Sequence, residues 1–399
     1  MGKNTSNINA LKHCGFHFMN PKVTIIILNW NGWKDTLECL ESLEQINYNN
    51  YDVIVVDNHS QDNSVQKIKN YLKSKVGTES NFIGHGHVNG LLNYFEYAES
   101  ENTSIEEEYG LFKNTILIKN SENYGFAGGN NVGIRFALQN LDPDYILLLN
   151  NDTVVDKNFL EKLVFTCLND KNIALIQSKL LEYETYKVDS TGGIFDRYGF
   201  GISRGLKEND TGKYDENKED GFFYVLGTCM LVSVDFINET DPDEFLDSNI
   251  FAIHDDVDIS WHARILGYKI AYCPSSICFH KQHKSFKKKT SIYINFLISK
   301  NSIYILLKYY SIKNIVIYLP LKLIIDFTLS LGRIFVNKDT DQLKTYFQAI
   351  LWNSTNLNNT LKRRKKIQSK RKVNDKEIIK YMEPYSLRIS NLKTQYSKK

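Results

Sequence analysis

Short apolar runs alternate with segments of helical spacing over the first two thirds of the chain. The runs are rich in β-branched residues and end in polar or glycine-containing turns, as buried strands do. They lie at residues 23–28, 53–57, 115–119, 145–150, 173–177 and 268–273. Apolar residues three and four apart predict helices at about 33–45, 63–72, 129–141, 157–168 and 256–266. This alternation predicts an α/β fold with a mostly parallel central sheet flanked by helices.

Two segments depart from this pattern. Residues 74–113 carry glycine, asparagine, glutamate and aromatic residues without a steady period, which predicts an insertion that contains β-structure. Residues 291–399 form a basic region with apolar stretches, predicted to be helical. We therefore expect a catalytic domain over 22–290, with the insertion inside it, and a basic helical C-terminal region over 291–399.

The charge is divided unevenly along the chain. Residues 1–280 carry 40 acidic side chains against 23 Lys and Arg, whereas residues 281–399 carry 6 against 26. A basic segment is typical of proteins that bind anionic lipid or nucleic acid, and a solvated tail is the alternative. Because the sequence contains no recognisable nucleic-acid-binding fold, we expect an anionic membrane surface as the partner and no nucleic acid.

The apolar stretch at 312–331 is interrupted by Lys313, Lys322 and Asp326. Since a membrane-spanning helix needs about 20 largely uncharged residues, we predict helices on a membrane surface, with a packed helix pair as the alternative. Residues 362–373 are predicted to be a solvated basic segment. Six scattered cysteines without a CxxC pair, and an N-terminal segment without an apolar signal region, indicate a cytoplasmic protein, peripheral on the membrane at most.

Polar side chains follow three of the predicted strands. Asn29 and Asn31 follow the first strand, Asp57 ends the second, and 150–152 follow the fourth. In open α/β sheets ligands bind beyond the carboxyl ends of the strands, so these residues predict one binding edge. Asp152 there could hold a divalent metal that offsets pyrophosphate charge, although Asn-Asn-Asp also commonly turns a chain. Asp57 could bind a nucleobase or ribose, or cap a helix.

A glycine-rich segment at 123–134 precedes a predicted helix. Gly125, Gly128 and Gly129 permit close backbone approach, and a helix N-terminus favours phosphate. The spacing matches neither GxGxxG nor GxxxxGK[ST], which disfavours dehydrogenase and P-loop functions. A tight turn without a ligand is the alternative.

Three carboxylates lie within 254–258, in the sequence HDDVD. Asp256 is the best candidate for a base that takes a proton from a hydroxyl, while an acidic first helical turn is the alternative. His280 ends a strand-like stretch and could share a metal with carboxylates, with His283 as the local competitor.

Seven segments occur in one order: VTIIILNWNG, VIVVDNHSQD, ENYGFAGGNNVGI, YILLLNNDTVVD, GTCMLVS, HDDVDISWHARILGYKIAYCP and FH. Together, over roughly residues 22–310, they resemble family 2 glycosyltransferases of the GT-A fold, in particular the rhamnosyltransferase-like branch. The resemblance implies an inverting transfer of a sugar, with rhamnose as one candidate, from a nucleotide-diphosphate donor. It also implies a divalent metal, Mn²⁺ or Mg²⁺, and a glycan or lipid-linked acceptor.

The resemblance also implies roles for individual residues. Donor-binding residues would be Leu28, Asn29, Asn31, Asp57, Gly128, Gly129, Asn131, Asn150 and Asn151. Asn150 and Asp152 stand where the family has its DXD motif, so Asp152 and His280 would hold the metal. Asp256 matches the general base, and the acceptor side would be formed by Gly227, Thr228, Cys229 and Asp255.

Two other functions fit parts of the sequence. A nucleotidyltransferase shares the α/β sheet but attacks at phosphorus, and LNWNGWKD lacks the basic, glycine-rich signature expected near its first strand. An inactive nucleotide-sugar-binding protein with a basic membrane- or nucleic-acid-binding tail is the other alternative, since only one DXD position is a carboxylate. Released nucleoside diphosphate would distinguish transfer from both.

Overall fold

The structure is a computed structural model that describes residues 20–75, 93–98, 114–216, 221–282, 288–338 and 340–390. Its strands are β1 (Val23–Asn29), β2 (Tyr51–Asp57), β3 (Asn93–Ala98), β4 (Asn114–Lys119), β5 (Tyr145–Asn150), β6 (Thr153–Val155), β7 (Ile173–Glu182), β8 (Val188–Ser190), β9 (Gly193–Phe195), β10 (Gly201–Ser203), β11 (Cys229–Ser233) and β12 (Lys269–His280).

Helices lie between the strands and in the C-terminal region. They are α1 (Trp33–Glu44), α2 (Ser64–Lys75), α3 (Gly125–Asn140), α4 (Phe159–Asn169), α5 (Val234–Glu239), α6 (Asp255–Ile265), α7 (Lys288–Tyr309), α8 (Ile312–Asn337), α9 (Asp341–Thr355), α10 (Leu357–Ser369) and α11 (Asp375–Ile378).

One ten-stranded sheet runs through the molecule in the order β3-β4-β2-β1-β5-β11-β7-β12-β6, with β8 paired to β7. The strands from β3 to β5 are parallel, whereas β11 is antiparallel to both of its neighbours. The predicted α/β fold with a mostly parallel sheet is confirmed. All six predicted strands are present, because continuous β-branched runs can be buried on both faces only in the middle of such a sheet.

Several predicted boundaries are wrong. Helix α3 begins at Gly125, four residues before the predicted start at Gly129. Strands β7 and β12 continue past their predicted ends to Glu182 and His280, because the two pair with each other over almost their whole length. Within the predicted insertion, β3 adds a parallel strand at the sheet edge, and most of the remaining insertion lies outside the described residues.

Two apolar clusters cover the two faces of the sheet, and a third lies between α6 and the C-terminal helices. In the third cluster, Trp261 of α6 stacks on Tyr309 with ring centroids 5.3 Å apart and meets Tyr310 edge-on at 4.9 Å. The predicted catalytic domain and the predicted C-terminal region therefore share one core. The division at residue 290 is therefore a proposal about function and does not separate two cores.

The predicted solvated segment at 362–373 is instead largely a helix end packed on α7. Arg363 pairs with Glu244 and Asp247, and Arg364 donates to backbone carbonyls at the end of α7. The prediction was wrong because these guanidinium groups have acidic and carbonyl partners that are distant in sequence. In the part of the chain that the structure describes, one helix, at 312–336, is long and apolar enough to cross a membrane by length and composition.

Candidate active site

The polar ends of β1, β2 and β5 lie side by side, as predicted. Parallel register places Asn29 opposite Asp57, and Leu28 opposite Asn150. The Asn29 amide donates to Asp57 Oδ1 at 2.7 Å, and its oxygen accepts from Thr36 at 2.8 Å. Asn29 and Asp57 are both buried, so this hydrogen-bonded pair forms the base of the site at the edge of the sheet.

Three further asparagines form hydrogen bonds at the end of β5 and in the loops that follow β1 and β5. Asn31 is exposed, adopts a left-handed backbone (φ 53°) and accepts from the Gln61 amide at 2.7 Å. Asn150 is held through its backbone amide, which donates to the Thr228 carbonyl at 2.9 Å. The Asn151 amide donates to Thr36 at 3.1 Å. These bonds join the ends of β1, β2 and β5 to the start of β11.

Strand pairing brings the two predicted metal ligands together. β6 runs antiparallel to β12 and pairs Thr153 with His280, so Asp152, one residue earlier, lies beside the ring. His280 Nε2 is 3.3 Å from Asp152 Oδ1, and Nδ1 is 2.8 Å from Asp189 Oδ2 on β8. Burial disfavours the charged ring, but the hydrogen bonds to Asp152 and Asp189 outweigh burial and raise the pKa of His280 to about 9.

This arrangement fits a divalent cation that takes most of its ligands from a substrate. Asp189 fixes Nδ1 of His280 and leaves Nε2 directed at Asp152, as second-layer carboxylates do for metal-binding histidines. Within the described residues there is no cluster of three or more Asp, Glu, His and Cys side chains placed to hold a metal. Asp152 and His280 would therefore supply two ligands, and diphosphate and water oxygens would supply the rest.

The glycine-rich segment is more tightly packed than predicted. A Cβ on Gly129 would lie 2.6 Å from Leu28, so glycine there allows α3 to approach β1. The Phe126 and Ala127 amides at the start of α3 both donate to the Phe251 carbonyl, at 2.7 and 3.2 Å. Because these two backbone N–H groups already donate to Phe251, they are not available to a phosphate, which the sequence predicted at the start of this helix.

Two further predicted contacts are corrected by burial. Asn131 is buried. Its side-chain amide donates to the Leu246 carbonyl at 2.6 Å, and its side-chain oxygen accepts from the Leu246 backbone N–H at 2.9 Å. Cys229 is fully buried, with Sγ 3.2 Å from Ser178 Oγ. The polar atoms of both side chains are thus bonded to protein groups, whereas the prediction placed them against the donor and the acceptor. Gly128 lies against Tyr124, where a Cβ would approach to 2.7 Å.

The acidic residues at 254–258 form the first turn of α6. Asp255 and Asp258 are buried, whereas Asp256 keeps part of its surface accessible. Burial, reinforced by the charge of Asp258, raises the pKa of Asp255 to about 6. The pKa of Asp256 is raised well above its usual range, mainly by burial and secondly by the charge of Asp255. Asp256 is thus the more accessible acid, and its surroundings favour proton uptake.

The segment at the start of β11 lies between the acidic turn and the end of β5. The Thr228 carbonyl accepts from Asn150, and the residue before it, Gly227, would place a Cβ 3.6 Å from Asp255 Oδ2. Gly227 and Thr228 therefore stand between the end of β5 and the acids of α6. A cavity of about 800 Å³ is lined by His280, Lys34, Tyr183 and Lys281. His283 lies outside the described residues.

Comparison with known proteins decides the family. Residues 24–102 match the family profile described as glycosyl transferase family 2, and residues 104–292 match that described as glycosyltransferase like family 2. The chain is a family 2 glycosyltransferase. Its fold is the GT-A fold, as the sequence resemblance implied.

Relatives of this glycosyltransferase are distant. The low-salt glycan biosynthesis hexosyltransferase Agl10 of Haloferax volcanii is 24% identical over 221 residues, which cover 52% of this chain and 68% of that protein. GalNAc-T7, solved with UDP, GalNAc and Mn²⁺, superposes with a TM-score of 0.50 at 14% identity. That match covers 74% of this chain and 49% of GalNAc-T7, so the chain spans about half of it. The mannosyltransferase PcManGT from Pyrobaculum calidifontis, solved with GDP-Man and Mn²⁺, has a TM-score of 0.46 at 12% identity, covering 88% and 86%.

The sequence analysis missed three residues that position other residues of the candidate active site of this glycosyltransferase. Asp189 orients His280 from 91 positions away. Asn301 of α7 donates to carbonyls of the loop before α6, and Lys308 of α7 joins Asp247 to Asp258 at 2.6 and 2.7 Å. No local motif marks these residues, since each contact depends on the packing of distant elements.

Proposed function

We propose that this glycosyltransferase is an inverting enzyme that moves a sugar from a nucleoside diphosphate donor to a hydroxyl of a glycan or lipid-linked acceptor. One observation carries the proposal. The Asp152–His280 pair and the acidic first turn of α6 border the same edge of the sheet, joined through Asn150, Thr228 and Gly227. A group that offsets leaving-group charge and a group that accepts a proton can thus act on one substrate pair.

The donor side is assigned to the ends of β1, β2 and β5. Asp57 is buried and accepts from Asn29 and Ser60, and we assign its remaining acceptor capacity to a nucleobase N–H or a ribose hydroxyl. Leu28, Asn31, Asn150 and Asn151 lie at the same edge of the sheet. Asp152 and His280 would hold a divalent cation, Mn²⁺ or Mg²⁺, which when bound offsets the charge of the departing diphosphate. Asp189 keeps the His280 ring in its orientation.

Asp256 is assigned as the general base. Its carboxylate accepts the proton of the acceptor hydroxyl, whose oxygen forms a bond to the anomeric carbon as the bond to the diphosphate oxygen breaks. A single displacement from the face opposite the leaving group inverts the anomeric configuration. Gly227 leaves space beside Asp255 for the acceptor, and holding both substrates at this edge supplies part of the rate.

The sugar and the cellular location are also proposals. The sequence resemblance makes rhamnose one candidate, and the relative Agl10 is a hexosyltransferase of glycan biosynthesis. We assign the reaction to the cytoplasm, where a lipid-linked or surface-glycan acceptor would be built. A screen of nucleotide-sugars with and without Mn²⁺, scored by thermal shift and nucleotide release, tests donor choice and metal dependence together.

Replacement of Asp256 tests the assigned base. Asp256→Asn is expected to lower transfer about 10²- to 10⁴-fold, because the amide cannot accept the proton, while donor binding by thermal shift is retained. Asp235→Asn, at an exposed acid in the first turn of α5, is the matched control and should leave transfer unchanged. NMR of the product anomer tests inversion.

Two outcomes would count against this assignment. Parallel loss of donor binding and transfer in Asp256→Asn would indicate a structural role for Asp256. Release of pyrophosphate, rather than nucleoside diphosphate, by the wild-type enzyme would indicate attack at phosphorus.

A further inference from the structure

The middle turns of helix α8 reverse the usual pattern of a surface helix, because their charged side chains, Lys322 and Asp326, face the protein. Lys322 and Asp326 are 3% and 4% exposed, and Asp326 is paired with both Lys322 and Arg388. By contrast, Val316 is 67% exposed and Ile324, which lies opposite the buried stripe, is 60% exposed. Soluble proteins normally bury the apolar stripe of a surface helix, so the outward stripe of α8 requires another explanation.

The apolar surface continues from α8 onto α9. Phe327 contacts Phe347 edge-on, with ring centroids 6.5 Å apart, and both are exposed. Leu351, one turn further along α9, is 64% exposed. Other large apolar side chains exposed on α8 and α10 are Ile312, Ile317, Leu321, Phe335, Val336, Leu357 and Leu361. We call the exposed apolar side of α8 and α9 the outer face.

Cations border the outer face. Lys313 is exposed at the start of α8, Arg333 and Lys338 at its end, and Lys344 in the first turns of α9. Eight of the 13 Lys and Arg at 311–374 lie at 362–372, in the segment packed on α7, so the exposed cations at the ends of α8 and on α9 carry the charge of this face. A long apolar face with cationic ends is the composition of helices that lie in a bilayer interface, where cations meet lipid phosphates.

The polar contacts of α8 exclude a simple spanning arrangement. A spanning helix would place the Lys322–Asp326–Arg388 group in hydrocarbon or break it, and either is costly. A second copy of the chain is disfavoured because it would bring the same cations against themselves. Since α8 is about 39 Å long at 1.5 Å per residue, it can lie flat with its whole outer face immersed.

We propose that the outer face of α8 and α9 docks on an anionic phospholipid bilayer, with α8 parallel to the membrane plane. The expected orientation differs from the one that composition predicts, since Lys322 points into the protein and the cations at the helix ends meet the phosphates. The proposal names the membrane partner of the glycosyltransferase and does not depend on its catalytic mechanism.

Vesicle flotation of the full chain tests the proposal. Wild type is expected to float with vesicles of phosphatidylcholine plus phosphatidylglycerol, and more weakly with phosphatidylcholine alone. Val316→Glu and Ile324→Glu should each weaken binding about tenfold or more, because each replaces an exposed apolar side chain that the bilayer would bury with a charge of the same sign as the membrane surface. Phe165→Glu, at a residue of α4 that is 56% exposed, is the matched control and should bind as wild type does.

Each alternative gives a distinct result. Equal loss of binding in Phe165→Glu, or no loss in Val316→Glu and Ile324→Glu, would overturn the proposal. Failure to float with either vesicle, together with a concentration-dependent dimer that Val316→Glu abolishes, would show that a second copy covers the outer face.

Hydrogen exchange on the wild type gives a test that needs no variant. Anionic vesicles should slow exchange at the two ends of α8 and in α9 but leave α1 and α4 unchanged. Unchanged exchange throughout α8 and α9, on vesicle-bound protein, would refute docking through this face. Because none of these measurements reads turnover, a negative result would leave the proposed sugar transfer unaffected.

Discussion

The imidazole of His280 lies between two carboxylates that have different surroundings. Asp189 is almost fully enclosed and also accepts from Gln282, whereas Asp152 is more exposed and lies toward the open side. We therefore propose that Asp189 holds the ring and that Asp152 faces the proposed cation. This difference in burial supports different proposed roles for the two acids, although both contact the same ring.

Removing the carboxylate that orients His280 should weaken the metal site without removing a ligand. Asp189→Asn is expected to lower Mn²⁺ affinity about 10- to 100-fold, because the ring loses its charged acceptor at Nδ1. Titration calorimetry of Mn²⁺ with donor present measures the change directly. Asp170→Asn, which breaks an ion pair with Lys269 at the opposite end of β7 and β12, is the control and should leave Mn²⁺ affinity unchanged.

If Asp189→Asn binds Mn²⁺ as wild type does while His280→Ala does not, the ring needs no orienting carboxylate. If neither substitution changes Mn²⁺ affinity, the metal site is elsewhere. Thermal unfolding of each variant separates both results from loss of the fold.

Sequence reasoning located the first layer of polar residues and missed the second. Asn29, Asp57 and Asp152 follow recognisable strands, so parallel topology alone predicts that they meet. Asp189 is in contact with His280 only because β8 pairs with β7 and β7 pairs with β12. Cys229 was misassigned because the sequence indicates a strand start but not which face of the sheet its side chain joins.

At the level of elements, the loop before α6 is held in an unfavourable conformation. Phe251, Ile253 and His254 all have a left-handed backbone, with φ of 67°, 66° and 71°. This conformation costs roughly 1–2 kcal/mol for each such residue. Asn301 lies within hydrogen-bond distance of three loop carbonyls, those of 250, 252 and 253, at 3.2, 2.9 and 2.6 Å. Helix α7 thus stabilises the loop that sets the start of α6.

Loss of the hydrogen bonds from Asn301, which we call the Asn301 clamp, should displace the acids in the first turn of α6. Asn301→Ala is expected to lower kcat about 10- to 100-fold with little change in donor KM, because a shift of the base of about 1 Å is enough to impair transfer. Steady-state kinetics with saturating donor measures both constants. Asn353→Ala, which removes a buried asparagine on α9 bonded to the Lys300 carbonyl, is the matched control.

Both substitutions should reduce stability by a similar amount, since each leaves buried carbonyls without a donor, at about 1–3 kcal/mol. A kcat loss of equal size in Asn353→Ala would attribute the effect to general destabilisation. An unchanged kcat in Asn301→Ala would show that the loop keeps its conformation without the clamp.

Helices and strands differ in how far their position and orientation can be predicted from the sequence. The central strands are predicted because burial on both faces demands continuous apolar runs. Helix α8 shows the opposite case, since its composition predicts an interfacial helix but not which face is outward. A signal was present, because Lys322, Asp326 and Ser330 are spaced four apart and so lie on one face. All three are buried, and Asp326 needs Arg388, 62 residues on, to complete its pairing.

At the scale of the molecule, α6 connects the candidate active site with the C-terminal helices. Its first turn carries the acids, and Trp261 of its middle turns stacks on Tyr309 in the shared core. Lys308 adds a buried ion pair from α7 to Asp258 of the same turn that carries Asp256. The C-terminal region therefore forms part of the support for the proposed base, in addition to presenting the outer face.

This sharing predicts how the chain tolerates truncation. A chain that ends at residue 290 should lose cooperative thermal unfolding and bind a hydrophobic dye, because it exposes Trp261 and leaves Asp258 without Lys308. A chain that ends at residue 390 keeps every described element and is the control. Calorimetry and dye fluorescence compare the two. A cooperative transition in the shorter chain would show that residues 22–290 fold alone, and the C-terminal helices would then serve docking without supporting α6.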